Sequence, residues 1–292
     1  MNTDKLLKNA KRQLVAANER FGWQGDEADQ AWDLLAHVLG KQPDRDADVP
    51  PKALKTFEKL LKRRLTGEPL TYIIGWVDFL DFRMTVRDGA FVPRLTSEWL
   101  AKSAIKRIRS RKQPVHVDLA TGIGPVAIGI AKAVKNAEVH GVDIMPTAIK
   151  EAKANATKLK IGNAHFHVGD MFSPLPKRLK GQIDCISIHP PYVPVDEVAD
   201  LPVEIKKWED KRTLTDGSKD GLELTRRVIS EGREWLAPNG WVLIEVVPSE
   251  WKRIRPLFKE AGYTDIRSTH GELKLTRVIT GRLPGGSGVS PA

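Results

Sequence analysis

The sequence predicts an α/β protein in which a mainly parallel β-sheet, covered by helices on both faces, ends in an antiparallel pair and follows a small helical region. Three observations carry this expectation. From Val115 onward short β-branched runs alternate with longer helical patterns, Thr264 to Ser268 and Leu273 to Thr280 are separated only by a short turn, and residues 1–70 show helical spacing alone. The chain of 292 residues, 41% hydrophobic and 29% charged, is long enough to bury a real core, which excludes wholesale disorder.

Apolar residues recur at helical spacing in Leu6, Leu7, Ala10, Leu14 and Ala17, and again in Ala31, Leu34, Leu35 and Val38, with Gly40 as the expected C-cap. Pro50 and Pro51 open a third helix, Leu54 through Leu61, that ends near Gly67. Residues 1–70 are thus expected to form a helical domain that either recognises substrate or shields a neighbour's apolar surface. Strand-like alternation in Phe79, Phe82, Met84 and Val86, then Asp88-Gly89 and Phe91-Val92-Pro93, predicts a hairpin linker over 71–96.

Residues 97–283 carry the alternating pattern. Ser97 to Ile108 reads as a helix, and the cations that follow or end it, Lys106, Arg107, Arg109, Arg111 and Lys112, read as a solvated face in preference to a nucleic-acid patch. Strands are expected at Val115–Asp118, Val139–Asp143, His165–Val168, Ile183–Ile188 and Trp241–Val246, with helices reaching about Val134 and Leu159 and spanning about Gly221 to Leu236. Pro238-Asn239-Gly240 reads as a turn, and the linker-like residues 284–292 as a flexible tail.

Forty-seven Lys and Arg against 37 Asp and Glu give a formal charge of +10, so contact with RNA or a ribonucleoprotein stays in view without being decided. The single cysteine, Cys185, excludes an internal disulfide, no Cys/His cluster has zinc spacing, and no metal is expected. No signal-like core and no run of roughly 20 apolar residues occurs, so no membrane contact and a cytoplasmic location are expected.

Asp118-Leu119-Ala120-Thr121-Gly122-Ile123-Gly124 lies between a strand and a helix that Pro125 opens, a place where open α/β sheets bind nucleotides. Small residues there let a ligand approach the backbone. Gly122 to Ala127 also fits the dinucleotide fingerprint G-x-G-x-x-A, and Asp143 can hold ribose hydroxyls in either case, so hydride transfer remains a rival at this step. Asp170 ends the third strand and offers an acceptor-only carboxylate to an adenine amine. Acids at three successive strand ends, Asp118, Asp143 and Asp170, weigh more than any one alone.

His189-Pro190-Pro191-Tyr192 follows the apolar run Ile183 to Ile188; its prolines fix the backbone and lack N–H donors, leaving carbonyls free to accept from a substrate. This segment resembles the Asn-Pro-Pro-Tyr motif of S-adenosylmethionine-dependent amino-methyltransferases. From about Leu6 to Arg282 the chain resembles the release factor glutamine N5-methyltransferase family, through Gly67-Glu68-Pro69-Leu70, Tyr72-Ile73-Ile74-Gly75, Val92-Pro93-Arg94 with Thr96 and Glu98, the glycine loop, and Asp216 to Leu222. The resemblance implies a seven-stranded Rossmann-like methyltransferase sheet with an antiparallel last strand, S-adenosylmethionine as cofactor, and a protein glutamine as acceptor. It implies cofactor contacts from Asp118, Ala120, Thr121, Gly122, Gly124, Asp143, Ile144, Asp170, Met171 and Arg94. It implies substrate contacts from His189, Pro190, Pro191 and Tyr192, with His189, Pro190 and Tyr192 orienting the reacting nitrogen.

Three departures bear on the acceptor. His189 replaces the family's Asn, Ala120 replaces the first loop glycine, and Glu245-Val246-Val247-Pro248-Ser249-Glu250 stands where the family has Glu-x-Gly-x-x-Gln. A neutral imidazole can accept one N–H or serve as a general base, whereas its protonated form accepts nothing. The expected activity is therefore N-methylation of a protein amide first, then of a small amine or guanidine, then of a nucleic-acid base amine. Noncatalytic cofactor binding is a further alternative.

Overall fold

The structure is a computed structural model describing residues 1–22, 26–87 and 91–285. In chain order its helices are α1 (Thr3–Phe21), α2 (Glu27–Leu39), α3 (Pro51–Arg64), α4 (Leu70–Ile74), α5 (Ser97–Ile108), α6 (Pro125–Ala133), α7 (Pro146–Lys158), α8 (Val203–Trp208), α9 (Glu223–Trp235) and α10 (Trp251–Glu260). The strands are β1 (Trp76–Phe79), β2 (Phe82–Thr85), β3 (Val115–Leu119), β4 (Glu138–Asp143), β5 (Ala164–Val168), β6 (Ile183–Ile188), β7 (Leu236–Val246), β8 (Thr264–Thr269) and β9 (Arg277–Arg282).

Two compact units divide the chain, one from the described parts of 1–77, 86–89 and 197–211, the other from those of 78–85, 90–196 and 212–292. In the first unit, Asn2 and Asp26 cap α1 and α2 by accepting backbone N–H bonds, and Gly40 ends α2 in the left-handed region. The apolar faces of α1, α2 and α3 bury Leu14, Leu34, Leu35 and Phe57. A cation lies within this unit: Arg64 donates to Gln30 Oε1 (2.7 Å), the Glu68 carbonyl (2.8 Å) and Glu204 Oε1 (2.7 Å). Burial lowers the affinity of that guanidinium for its proton, and Glu204 opposes the effect.

The second unit holds a seven-stranded sheet of order β5-β4-β3-β6-β7-β9-β8, in which β3 to β7 are parallel and β9 runs antiparallel to both neighbours. From β3 the chain builds outward to β5 and then returns to β6 on the other side of β3. The strand order thus reverses between β3 and β6, and the carboxyl ends of strands at such a switch point are where open α/β sheets bind ligands. Every residue of β6 is buried, as a central strand covered on both faces requires.

Several details differ from the sequence-based expectation. The hairpin turns at Leu80-Asp81, with Leu80 at φ 53°, because β1 and β2 are only two residues apart and Asp78 pairs with Arg83 at 2.8 and 2.9 Å beside the Phe79–Phe82 edge contact. Asp88-Gly89 lies outside the described residues, Phe91 to Pro93 form no strand, and Tyr72 belongs to α4. Pro238-Asn239-Gly240 does not end an element: it bulges within β7 where pairing jumps from Ile183–Leu236 to Cys185–Trp241, with Asn239 at φ 66°. The last strand begins at Arg277, so Leu273 to Thr276 precede it.

Residues 197–211, expected within the 97–283 domain, cluster instead with the helical unit, where Glu204 meets Arg64. The basic run divides: Arg107 lies over the Trp241 ring at 4.6 Å and Arg111 pairs with Asp184 at 2.5 Å, while Lys106, Arg109 and Lys112 are exposed. A uniformly solvated face is thereby corrected. Of the expected tail, 286–292 lie outside the described residues, and Leu283 just before it donates its N–H to the Gly240 carbonyl at 2.8 Å. No helix among the described residues is long and apolar enough to cross a membrane.

Candidate active site

The loop after β3 turns through left-handed conformations at Ala120 (φ 50°), Gly122 (57°) and Gly124 (89°) before Pro125 starts α6. Asp143, at the end of β4, holds this loop: its Oδ2 accepts the Gly122 N–H at 2.8 Å and its Oδ1 the Met145 N–H at 2.9 Å. Each oxygen retains a lone pair. Burial raises the pKa of Asp143 against these bonds. A Cβ placed on Gly122 would meet nothing within 4 Å, and the neighbouring Ile144 is 57% exposed despite its apolar side chain. Open space over a bare backbone, an apolar strand-end surface and a carboxylate with free lone pairs fit a nucleoside-bearing cofactor.

Asp118 plays a different part from the one its position suggests. Its carboxyl is 3% exposed and accepts hydroxyl bonds from Thr121 and Ser187, each at 2.6 Å. With Asp118 ionised, the single Ser187 proton is committed there, and His116 Nε2, 3.0 Å from Ser187 Oγ, is then the donor. Burial pushes Asp118 up to about 7 despite its two hydroxyl donors, and lowers His116 to about 3. The result is a buried chain joining β3 to β6 beneath the loop.

Asp170 is exposed after β5 and forms a two-pronged ion pair with Arg227 of α9 at 2.9 and 3.1 Å. This carboxylate raises the pKa of Arg227. Met171 beside it is buried at φ 47°. Arg94 lies over the Phe91 ring at 4.8 Å.

The β3–β6 register pairs Leu119 with Ile188, so the glycine loop and the His-Pro-Pro-Tyr segment leave adjacent strand ends. His189 presents Nδ1 to two groups, Ser97 Oγ at 3.2 Å and Glu245 Oε2 at 3.6 Å, and its ring stacks on Tyr192 (5.8 Å, 20°) with Phe91 edge-on at 5.9 Å. Pro190 is buried, and Pro191 is half-buried. Burial raises the Tyr192 phenol pKa, with Glu245 adding to the effect.

The segment is braced by the Asp216 to Leu222 loop. Val193 N–H donates to the Leu214 carbonyl and Val195 N–H to that of Ser218, both at 3.0 Å. Ser218 closes the loop on Asp216 through its N–H (2.9 Å) and hydroxyl (2.6 Å). Gly221, at φ 67°, lies so close that an added Cβ would sit 2.0 Å from the Tyr192 carbonyl oxygen. Sequence reasoning missed Ser97, Ser187 and His116, for which no local signal exists. The mechanical role of Gly221 was implicit only in a motif.

A seven-stranded sheet of this order, with a small-residue loop at its switch point and a Pro-Pro-Tyr segment on the adjacent strand end, defines an S-adenosylmethionine-dependent methyltransferase. Residues 110–262 match a family described as "Methyltransferase domain", and residues 5–75 match "PrmC N-terminal domain". The release factor glutamine methyltransferase of Thermodesulfovibrio yellowstonii is 30% identical over 86% of this chain and 90% of its own length. That of Vibrio cholerae is 30% identical over 92% and 95%. This chain belongs to the release factor glutamine methyltransferase family. In fold alone it is similar to a methyltransferase from Pyrococcus furiosus, with a TM-score of 0.52 at 16% identity over 69% of this chain and 88% of that one.

Proposed function

We propose that this protein transfers a methyl group from S-adenosylmethionine to the side-chain amide nitrogen of a glutamine in a protein of the release-factor type, in a cytoplasmic setting. The observation that carries this reading is the placement of His189-Pro190-Pro191-Tyr192 on the strand end adjacent to the Ala120 to Gly124 loop. Family membership supports the acceptor. When bound, the cofactor supplies an electrophilic methyl group on a sulfonium.

In this reading Asp143 holds the ribose hydroxyls with its remaining lone pairs, Ile144 and Met171 flank the base, and Asp170, shared with Arg227, receives its amine. Thr121, Gly122, Gly124 and Ala120 let the backbone come close, Asp118 holds that loop from beneath, and Arg94 completes the set. On the acceptor side the Pro190 carbonyl and the His189 imidazole accept the two N–H bonds of a planar amide, Pro191 keeps the turn rigid, and Tyr192 packs beside the substrate. Catalysis is orientation plus electrostatics, with no covalent enzyme intermediate. Residues 1–70 and the 71–96 segment serve to recognise the protein carrying the glutamine, while 97–283 perform the transfer.

His189 favours one second reading, a small basic amine or guanidine as acceptor, because imidazole can take a proton that the family's amide cannot. Methyl-labelled cofactor incubated with separate pools of release factor, total RNA and small amines separates these readings. Label in release factor that disappears when its acceptor glutamine is replaced is the expected result. Label confined to small amines would establish the second reading, and binding of a nicotinamide dinucleotide in preference to the sulfonium cofactor would overturn both.

A further inference from the structure

Glu245 lies in the interior strand β7, is 0% exposed, and has one oxygen satisfied: Oε1 accepts the Thr276 hydroxyl at 2.9 Å. Among the described residues no hydrogen bond reaches Oε2. That oxygen faces His189 Nδ1 at 3.6 Å, and Ser97 Oγ lies 3.2 Å from the same nitrogen. A buried carboxylate oxygen without a donor is costly, and a ring N–H is the donor that faces it. A separation of 3.6 Å exceeds a hydrogen bond, yet such contacts tighten when a site closes on its substrate. Two tautomers are available: a serine hydroxyl that donates to Nδ1 would put the proton on Nε2, whereas an N–H on Nδ1 serves both Ser97 Oγ and Glu245 Oε2 and leaves Nε2 bare.

We propose that Glu245 is a positioning residue that holds His189 as the Nδ1–H tautomer, so that the Nε2 lone pair receives the proton leaving the methylated nitrogen. This rests on the methyl-transfer reading above. As the acceptor nitrogen forms its bond to carbon, the carbon–sulfur bond breaks with its electron pair going to sulfur, and the N–H proton passes to Nε2. Glu245 then faces an imidazolium and stabilises it.

The tautomer can be read without any substrate, by nitrogen-15 NMR of the full chain labelled at histidine, with His189 assigned from the His189→Asn spectrum. The wild type is expected to show a protonated Nδ1 and a bare Nε2. Glu245→Gln, whose amide can donate to Nδ1, should move the proton to Nε2, and Ser97→Ala should leave it on Nδ1. In turnover with release factor as the methyl acceptor, Glu245→Gln should lower kcat tenfold or more with cofactor affinity unchanged. A wild-type Nε2–H tautomer, or its appearance in Ser97→Ala, would overturn the proposal even if Glu245→Gln fails to fold. The expected tautomers combined with wild-type turnover in both Glu245→Gln and His189→Ala would instead show that proton transfer to His189 is no part of the reaction.

Discussion

Ala120 occupies the left-handed region at φ 50°, which favours glycine. A Cβ there costs roughly 1–2 kcal/mol, and glycine's greater unfolded-state freedom returns about 0.5–1. Ala120→Gly should therefore raise the melting temperature by about 1–3 °C, read by differential scanning calorimetry. Gly221 has the opposite sensitivity. Its added Cβ would meet backbone, the Tyr192 carbonyl at 2.0 Å, and backbone cannot rotate away. Gly221→Ala is expected to cut turnover more than tenfold by shifting the Pro-Pro-Tyr segment while leaving the far-ultraviolet dichroism of the sheet and helices intact. Wild-type turnover would show that the segment tolerates displacement.

At the scale of elements, one buried cation links α3 to the 197–211 segment. Arg64 donates to Gln30, the Glu68 carbonyl and Glu204, so deleting it removes a buried charge-assisted donor from each of the three. Arg64→Ala should cost about 3–5 kcal/mol, seen as a lower urea midpoint. Glu204→Gln keeps an acceptor for the guanidinium and should cost less. Equal losses in the two variants would mean that packing of the arginine stem, and not its charge, holds these elements together.

For the whole molecule, the buried Asp118–Ser187–His116 chain sets a pH response. Asp118 titrates near 7 in the fold against a usual value of about 3.9, so the stability it contributes is complete at low pH and is lost between about 4 and 7. His116 has the reverse sign: held to about 3 against a usual value of about 6.5, its contribution is complete above that value and is lost as pH falls toward 3. The two slopes oppose each other between about pH 4 and 6.5. Relative to wild type, Asp118→Asn should therefore gain stability as pH rises through that window, and His116→Gln should gain it as pH falls. Melting curves across the window check both signs, and parallel curves for all three proteins would contradict the assignment.

Helices α1, α2, α3 and α5, the alternating strands, the antiparallel ending and the resemblance at the glycine loop and His-Pro-Pro-Tyr were all legible in the sequence. Each is written locally, in a repeat of 3.6 or 2 residues, in a cap, or in a short run of special backbone residues. Tertiary structure alone decided that the hairpin turns at Leu80-Asp81, that 197–211 joins the helical unit, and that Arg107 and Arg111 are engaged within the fold. It alone distinguished the three strand-end acids: Asp118 sealed beneath the loop, Asp143 holding it, and Asp170 paired with Arg227. Glu245 under His189 belongs to the same class. Such pairs join residues separated by dozens of positions, and only sheet register and the path of the crossovers bring them within reach, whereas periodicity records which face a side chain takes and not what it will meet there.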